Sequence, residues 1–120
     1  MKIGFCGTVS VGKTTLVKAI KELPEFKHYT FATERSKYLR DLGIPLNTDS
    51  TLKGQTIFLA ERCSELIQEN IITDRTVIDV MAFTENAQSI EIEHKAAFID
   101  YAHNFIPVYD WIFHVRSEEH

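Results

Sequence analysis

Residues 7–14 read GTVSVGKT and match the pattern GxxxxGK[ST], in which the second glycine is followed by a lysine and a hydroxyl residue. The stretch follows an apolar run at 2–6 and precedes a segment whose apolar residues recur at helical spacing. A strand, a glycine-containing turn and a helix in this order allow backbone N–H groups to surround a phosphate. The stretch therefore predicts a phosphate-binding loop, and its position disfavours a simple glycine-rich turn with an exposed lysine.

The residue types in this loop suit a nucleoside triphosphate. Glycines permit backbone torsions that direct successive N–H groups at one anion, and the helix N-terminus adds a favourable dipole. Lys13 supplies a positive charge to the outer phosphates, and the Thr14 hydroxyl offers an oxygen ligand to Mg²⁺. ATP with Mg²⁺ is the predicted ligand, although the loop alone does not distinguish ATP from GTP. The predicted nucleotide-binding residues are Gly7, Val11, Gly12, Lys13, Thr14 and Thr15.

Strand and helix patterns alternate along the chain, which predicts one α/β domain over residues 1–120. The predicted strands are 2–6, 28–33, 71–73 and 111–115. The predicted helices are 13–22, 35–42, a long helix capped by Asp49 or Ser50 with an apolar side that extends to Ile67, 77–84 and 92–105. Such alternation favours about four parallel strands with helices on both faces. Together with the phosphate-binding loop, it predicts a three-layer α/β/α fold of the P-loop NTPase type.

Composition excludes several other classes of protein. The formal net charge is −4 and no run of lysine or arginine occurs, so nucleic acid is not an expected partner. The chain shows no signal-peptide pattern and no apolar run near the roughly 18 residues that span a bilayer, which predicts a cytoplasmic protein. Cys6 and Cys63 lack metal-site spacing and are predicted to be reduced thiols in the core.

Other classes of phosphate-loop protein fit the sequence poorly. The DxxG and NKxD-like segments expected of a GTPase are absent. A mechanical ATPase commonly has Asp-Glu after its apolar strand, whereas here Asp74-Arg75 follows 71–73. Arginine stays protonated and cannot serve as the base that activates water.

In three segments the sequence resembles the P-loop nucleoside and nucleotide kinases, particularly the small phage and bacterial branch near the ribosylnicotinamide and deoxynucleoside kinases. The segments are 7–14, Thr33-Glu34-Arg35 and Thr73-Asp74-Arg75-Thr76. The resemblance covers nearly the whole chain in order, and the last two segments follow predicted strands, where parallel sheets bind ligands.

The resemblance implies a role for each of three residues. Glu34 is expected to accept the proton of the acceptor hydroxyl, Asp74 to hold Mg²⁺ together with Thr14, and Arg75 to contact the acceptor or the transferred phosphoryl group. With Lys13, these are the predicted catalytic residues. The structural alternatives are a solvated residue for Glu34, a helix cap for Asp74 and a surface ion pair for Arg75. Gln55 is interpreted either as a contact to the acceptor base or as an exposed helical glutamine.

The pattern departs from these kinases after the fourth strand, where they continue into an arginine-bearing lid and a further strand. The sequence analysed ends at His120, so we expect a truncated form of a longer kinase. The alternative is a small protein whose partner, a second copy of the chain being one candidate, supplies the sheet edge and the lid.

The predicted function is transfer of the ATP γ-phosphate to a nucleoside or nucleotide. Two alternatives remain: an ATP-binding regulatory module or weak ATPase acting through a partner, and a polynucleotide 5′-kinase, which the acidic charge balance disfavours.

Overall fold

The computed structural model describes residues 1–7, 11–32, 41–44 and 49–116. Its strands are β1 (Lys2–Cys6), β2 (Thr30–Ala32), β3 (Ile71–Thr73) and β4 (Trp111–His114). Its α-helices are α1 (Val11–Lys21), α2 (Leu52–Glu65), α3 (Val77–Asn86) and α4 (Ile92–His103). Short 3₁₀ helices cover Pro24–Phe26 and Ile106–Val108.

The four strands form one parallel sheet in the order β2-β3-β1-β4. This arrangement confirms the predicted parallel α/β sheet of about four strands. The central strands are buried on both faces, because Phe5 and Cys6 of β1 and Ile71 and Ile72 of β3, consecutive residues that point to opposite faces, are all buried. Parallel strands joined through helices bring their carboxyl ends to one edge, where Gly7 and Lys13 meet the residues that follow β3.

Two apolar clusters hold the layers together. One cluster lies between α1 and the sheet and contains Ile3, Phe5 and Ile72, with Val17 and Ile20 packed against it. The other joins the sheet to α2, α3 and α4; its buried members are Phe58, Leu59, Leu66, Val77, Val80, Ala102 and Tyr109. Helices therefore cover both faces of the sheet.

The α1 face continues into a groove of about 700 Å³ over β4, an outer strand of the sheet. Aromatic rings cross this face, with Phe5 stacked on Phe113 at 5.5 Å and Trp111 near Phe113 at 6.1 Å between centroids. Trp111 and Phe113 are 57% and 46% exposed.

Two predictions about α2 were wrong. The helix is capped by Thr51, whose hydroxyl accepts a hydrogen bond from Gly54 N at 3.0 Å, rather than by Asp49 or Ser50. Ile67 was expected on its apolar side but is 80% exposed, because the helix ends at Glu65 and Leu66 is the C-cap. The predicted helix at 35–42 lies mostly outside the described residues.

Candidate functional site

The core of the candidate site is an ion pair between two elements that are far apart in sequence. Lys13 lies in the first turn of α1, and Asp74 directly follows β3. Lys13 Nζ is 3.2 Å from Asp74 Oδ1, and both side chains are almost completely buried. Among the described residues Asp74 Oδ1 accepts no well-aligned hydrogen bond, so the contact is an ion pair that leaves oxygen lone pairs available. The structure thus brings together two of the predicted site residues.

Arg75 lies beside this pair with its side chain buried. Its Nη1 donates to the Gly7 carbonyl at 3.2 Å, and Lys13 Nζ donates to the same oxygen at 3.5 Å. The guanidinium carbon of Arg75 is 5.4 Å from the centroid of the Phe83 ring. Because Arg75 is 1% exposed, the alternative of a surface ion pair is wrong. Its φ of 154° is rare for a residue other than glycine.

Asp79, a residue that the sequence analysis did not select, completes this arrangement. Its Oδ1 accepts a hydrogen bond from Gly7 N at 3.0 Å and lies 3.4 Å from Arg75 Nη1. Its Oδ2 accepts from Thr76 N at 2.7 Å in a capping box at the start of α3. Thr76 is therefore the N-cap of α3, and the interpretation of Asp74 as that cap is wrong. The spacing Thr76-x-x-Asp79 is a signal from which Asp79 could have been found.

Of the predicted nucleotide-binding residues, Gly7 directly follows β1 and the others lie at the start of α1. Gly12, Thr14 and Thr15 are exposed to solvent there. Val11 is the first residue of the helix. Residues 8–10 and Glu34 lie outside the described residues, so the predicted role of Glu34 stays a prediction.

Gln55 on α2 is fully buried, so its interpretation as an exposed helical glutamine is wrong. Its Oε1 accepts a hydrogen bond from the Thr84 hydroxyl at 3.3 Å. Gln55 Nε2 is buried and has no hydrogen-bond partner among the described residues. A buried amide with one unsatisfied group is costly unless something else accepts its hydrogen bonds.

A cavity of about 230 Å³ opens against Gly7 and Arg75. Its apolar wall is formed by Ile78, Ala82 and Phe83 of α3. Polar side chains are contributed by Arg75, Asp79, Asn86 and His114. The lining residues are Cys6, Gly7, Arg75, Ile78, Asp79, Ala82, Phe83, Asn86 and His114.

Burial, and secondarily the negative charge of Asp79, raises the pKa of the Cys6 thiol. Cys6 is therefore a neutral core thiol at physiological pH, as its apolar surroundings in the sequence predict.

Two solved structures of deoxyadenosine kinase from M. mycoides resemble this chain. The first, with products dCMP and a flexible dCDP bound, has a TM-score of 0.69 at 24% identity and covers 98% of this chain. The second, with bound dATP, has a TM-score of 0.64, also at 24% identity over 98% of this chain. The chain spans 65% and 66% of the lengths of these two kinase chains.

Neither a protein-family model nor a curated protein matches the sequence. No described helix has the length and apolar character required to cross a membrane. The comparisons therefore identify the fold, which is that of the deoxyadenosine kinases and agrees with the resemblance in the sequence.

Proposed function

We propose that the protein is an ATP-dependent phosphotransferase that moves the γ-phosphate of ATP to a nucleoside or nucleotide. The observation that carries this proposal is the buried Lys13–Asp74 ion pair at 3.2 Å, next to the first glycine of the phosphate-binding loop. A lysine and an aspartate buried together at the ends of a helix and a strand fit a magnesium nucleotide better than a purely structural ion pair, because burying charges rarely adds stability.

The chemistry of these residues fits both ATP and Mg²⁺. Lys13 would pair with the outer phosphates, and the exposed start of α1 offers backbone N–H groups to the anion. Thr14 and Asp74 carry the oxygen ligands that Mg²⁺ prefers, and Asp74 Oδ1 is buried with no well-aligned hydrogen bond. When bound, Mg²⁺ would supply charge neutralisation to the phosphate oxygens.

In the transfer step the acceptor oxygen forms a bond to the γ-phosphorus while the bond from that phosphorus to the bridging oxygen of ADP breaks. Glu34 takes the proton of the acceptor hydroxyl, as the resemblance implies. Arg75 stabilises the charge of the transferred group, and its buried guanidinium is already held beside Gly7. Lys13 neutralises charge on the departing diphosphate.

Gln55 is the candidate for recognition of the acceptor base. Its Nε2 is a buried donor without a partner among the described residues, which is the kind of group that a base carbonyl or ring nitrogen satisfies. A site built to hydrogen-bond a ligand discriminates strongly against analogues that leave its polar groups unpaired. Gln55 would therefore contribute to the choice of acceptor and not to the affinity for ATP.

A second candidate function is an ATP-binding regulatory module. It rests on the same contacts as the kinase proposal, because Lys13, Asp74 and Gly7 lie together whether or not the bound nucleotide gives up its phosphate. A module of this kind would need Lys13, Thr14 and Asp74 but no acceptor.

The test follows transfer of γ-labelled phosphate from ATP and Mg²⁺ to a panel of nucleosides, nucleoside monophosphates and nicotinamide riboside, with Glu34→Gln as the matched variant. Acceptor-dependent transfer that is lost in Glu34→Gln supports the kinase. ATP binding without transfer to any acceptor, or turnover that no acceptor accelerates, favours the regulatory module.

A further inference from the structure

Asp79 occupies a position that joins the two sides of the proposed site. Its Oδ1 accepts a hydrogen bond from Gly7 N, at the start of the proposed ATP-binding loop. The same oxygen accepts from Arg75 Nη1, which follows β3. The other oxygen accepts from the backbone and hydroxyl of Thr76, at 2.7 and 3.4 Å. Asp79 is 5% exposed, so these hydrogen bonds are shielded from water.

Gly7 is held on both sides of its Cα through this arrangement. Its N–H donates to Asp79, and its carbonyl accepts from Arg75, which is itself paired with Asp79. Gly7, Arg75 and Asp79 thus form a closed set of contacts. Since Gly7 begins the phosphate-binding loop, the orientations of the two peptide groups that flank its Cα set the direction in which the loop leaves β1.

The backbone at Arg75 needs the same support. Its φ of 154° is unfavourable for arginine and persists only where surrounding contacts impose it. Asp79 contacts the Arg75 side chain and the amide of the next residue, Thr76. Both contacts constrain the turn that carries Asp74 and Arg75 out of β3.

We propose that Asp79 is a positioning residue that holds the start of the phosphate-binding loop and Arg75 in one arrangement. The inference rests on the proposed function for its catalytic consequence, whereas the contacts themselves are independent of it. Asp79 does not touch the transferred group. It acts through Gly7 and Arg75, so its loss weakens ATP binding and lowers the rate of transfer together.

Asparagine cannot replace this carboxylate, although it has nearly the same shape. Hydrogen-bond donors face both oxygens of Asp79: Gly7 N–H and Arg75 face Oδ1, and Thr76 N–H faces Oδ2. The amide of Asn has only one oxygen, so its NH₂ group would have to face one of these sets of donors. Asp79→Asn therefore removes the charge and one acceptor oxygen while it nearly preserves the volume of the side chain.

The alternative is that Asp79 only caps α3, and Thr76→Ala tests it. The Thr76 hydroxyl accepts from Ile78 N at 3.1 Å, so this variant weakens the cap but keeps the contacts of Asp79 to Gly7 and Arg75. Asp110→Asn is a second control, because Asp110 Oδ2 accepts from Lys2 N at 2.6 Å at the opposite end of β1 and is exposed.

The experiment measures hydrogen exchange at the Gly7 amide and the Kd for ATP in the presence of Mg²⁺, in the wild type and these variants. We expect Gly7 to be protected in the wild type and in both controls. In Asp79→Asn we expect that protection to be lost and the Kd to rise about tenfold or more, as for loss of a charge-assisted hydrogen bond.

A Gly7 amide that exchanges freely in the wild type would overturn the inference without any variant. So would unchanged protection in Asp79→Asn, or an equal rise of Kd in Thr76→Ala. If no acceptor is phosphorylated by the wild type, the proposed kinase function fails, but the Gly7 exchange still decides whether Asp79 holds the loop.

Discussion

Lys13 Nζ lies 3.2 Å from Asp74 Oδ1, and neither side chain has appreciable contact with solvent. Two charges buried at this distance depend on each other, because removing one leaves the other uncompensated in a medium of low polarity. The pair joins the first turn of α1 to the end of β3. It is therefore a structural contact as well as the proposed nucleotide site.

Asp74→Asn should destabilise the nucleotide-free protein by about 3 kcal/mol, since it removes the negative charge that lies 3.2 Å from the buried Lys13 ammonium. Urea unfolding of four proteins measures the effect: the wild type, Asp74→Asn, Lys13→Met and the double variant Lys13→Met/Asp74→Asn. The double variant should lose less stability than the sum of the single variants. Strictly additive losses would mean that the two side chains do not interact.

Gly7→Ala should lower the free energy of unfolding far more than Gly43→Ala. Both glycines have positive φ, 131° and 82°, so both substitutions carry a backbone cost of about 1–2 kcal/mol. A Cβ at Gly7 would also lie 2.4 Å from the Val115 carbonyl oxygen, whereas no atom of the described residues would lie within 4 Å of a Cβ at Gly43. Equal free energies of unfolding for the two variants would contradict the close packing of Gly7 against the end of β4.

Stability should fall at high pH because of Tyr109. Burial raises the pKa of this phenol, whose oxygen accepts a hydrogen bond from Val77 N at 3.2 Å. The folded state therefore keeps its proton after the unfolded chain has lost it. The contribution of Tyr109 is present in full below the unfolded pKa of about 10 and is lost as the pH rises above it.

We expect Tyr109 to reduce the free energy of unfolding by about 1 kcal/mol between pH 8 and pH 10.5. Urea unfolding at the two pH values measures this loss, and Tyr109→Phe is the comparison. The variant should be less stable at pH 8, where it lacks the acceptor for Val77 N, but it should lose less stability at pH 10.5. The same pH dependence in both proteins would assign the loss to other groups.

Gln55→Leu should raise the KM for the acceptor with little effect on the affinity for ATP. The Thr84 hydroxyl also donates to the Val80 carbonyl at 2.8 Å, so it keeps a partner when Gln55 is replaced. With an acceptor that the wild type phosphorylates, steady-state kinetics should give a KM for the acceptor raised about tenfold and an unchanged Kd for ATP. An unchanged acceptor KM would exclude Gln55 from acceptor recognition.

Sequence alone predicted the parts of the fold that depend on local pattern. The apolar strands β1 and β3 were predicted correctly, because burial on both faces of a parallel sheet requires continuous apolar strands. Helix ends were less accurate. Thr51, Asp49 and Ser50 are all good capping residues, and only the path of the chain before α2 selects Thr51.

The site was predictable where a motif carries the chemistry, as at Lys13, and where a residue follows a strand, as at Asp74. The spacing of Thr76 and Asp79 could have predicted the capping box, but the contact of Asp79 with Gly7 is tertiary and joins residues 72 positions apart. Gln55 was ambiguous for the same reason, since helical periodicity does not predict that a polar residue is fully buried.

The most direct test of the central claim is the Kd for ATP in the presence of Mg²⁺, measured by calorimetry for the wild type, Lys13→Ala and Lys18→Ala. Lys18 lies on the same helix and is exposed, so it controls for loss of a positive charge from α1. The account predicts that Lys13→Ala weakens binding about tenfold or more, while Lys18→Ala binds like the wild type. Wild-type affinity in Lys13→Ala would contradict the assignment of residues 7–14 as the nucleotide site.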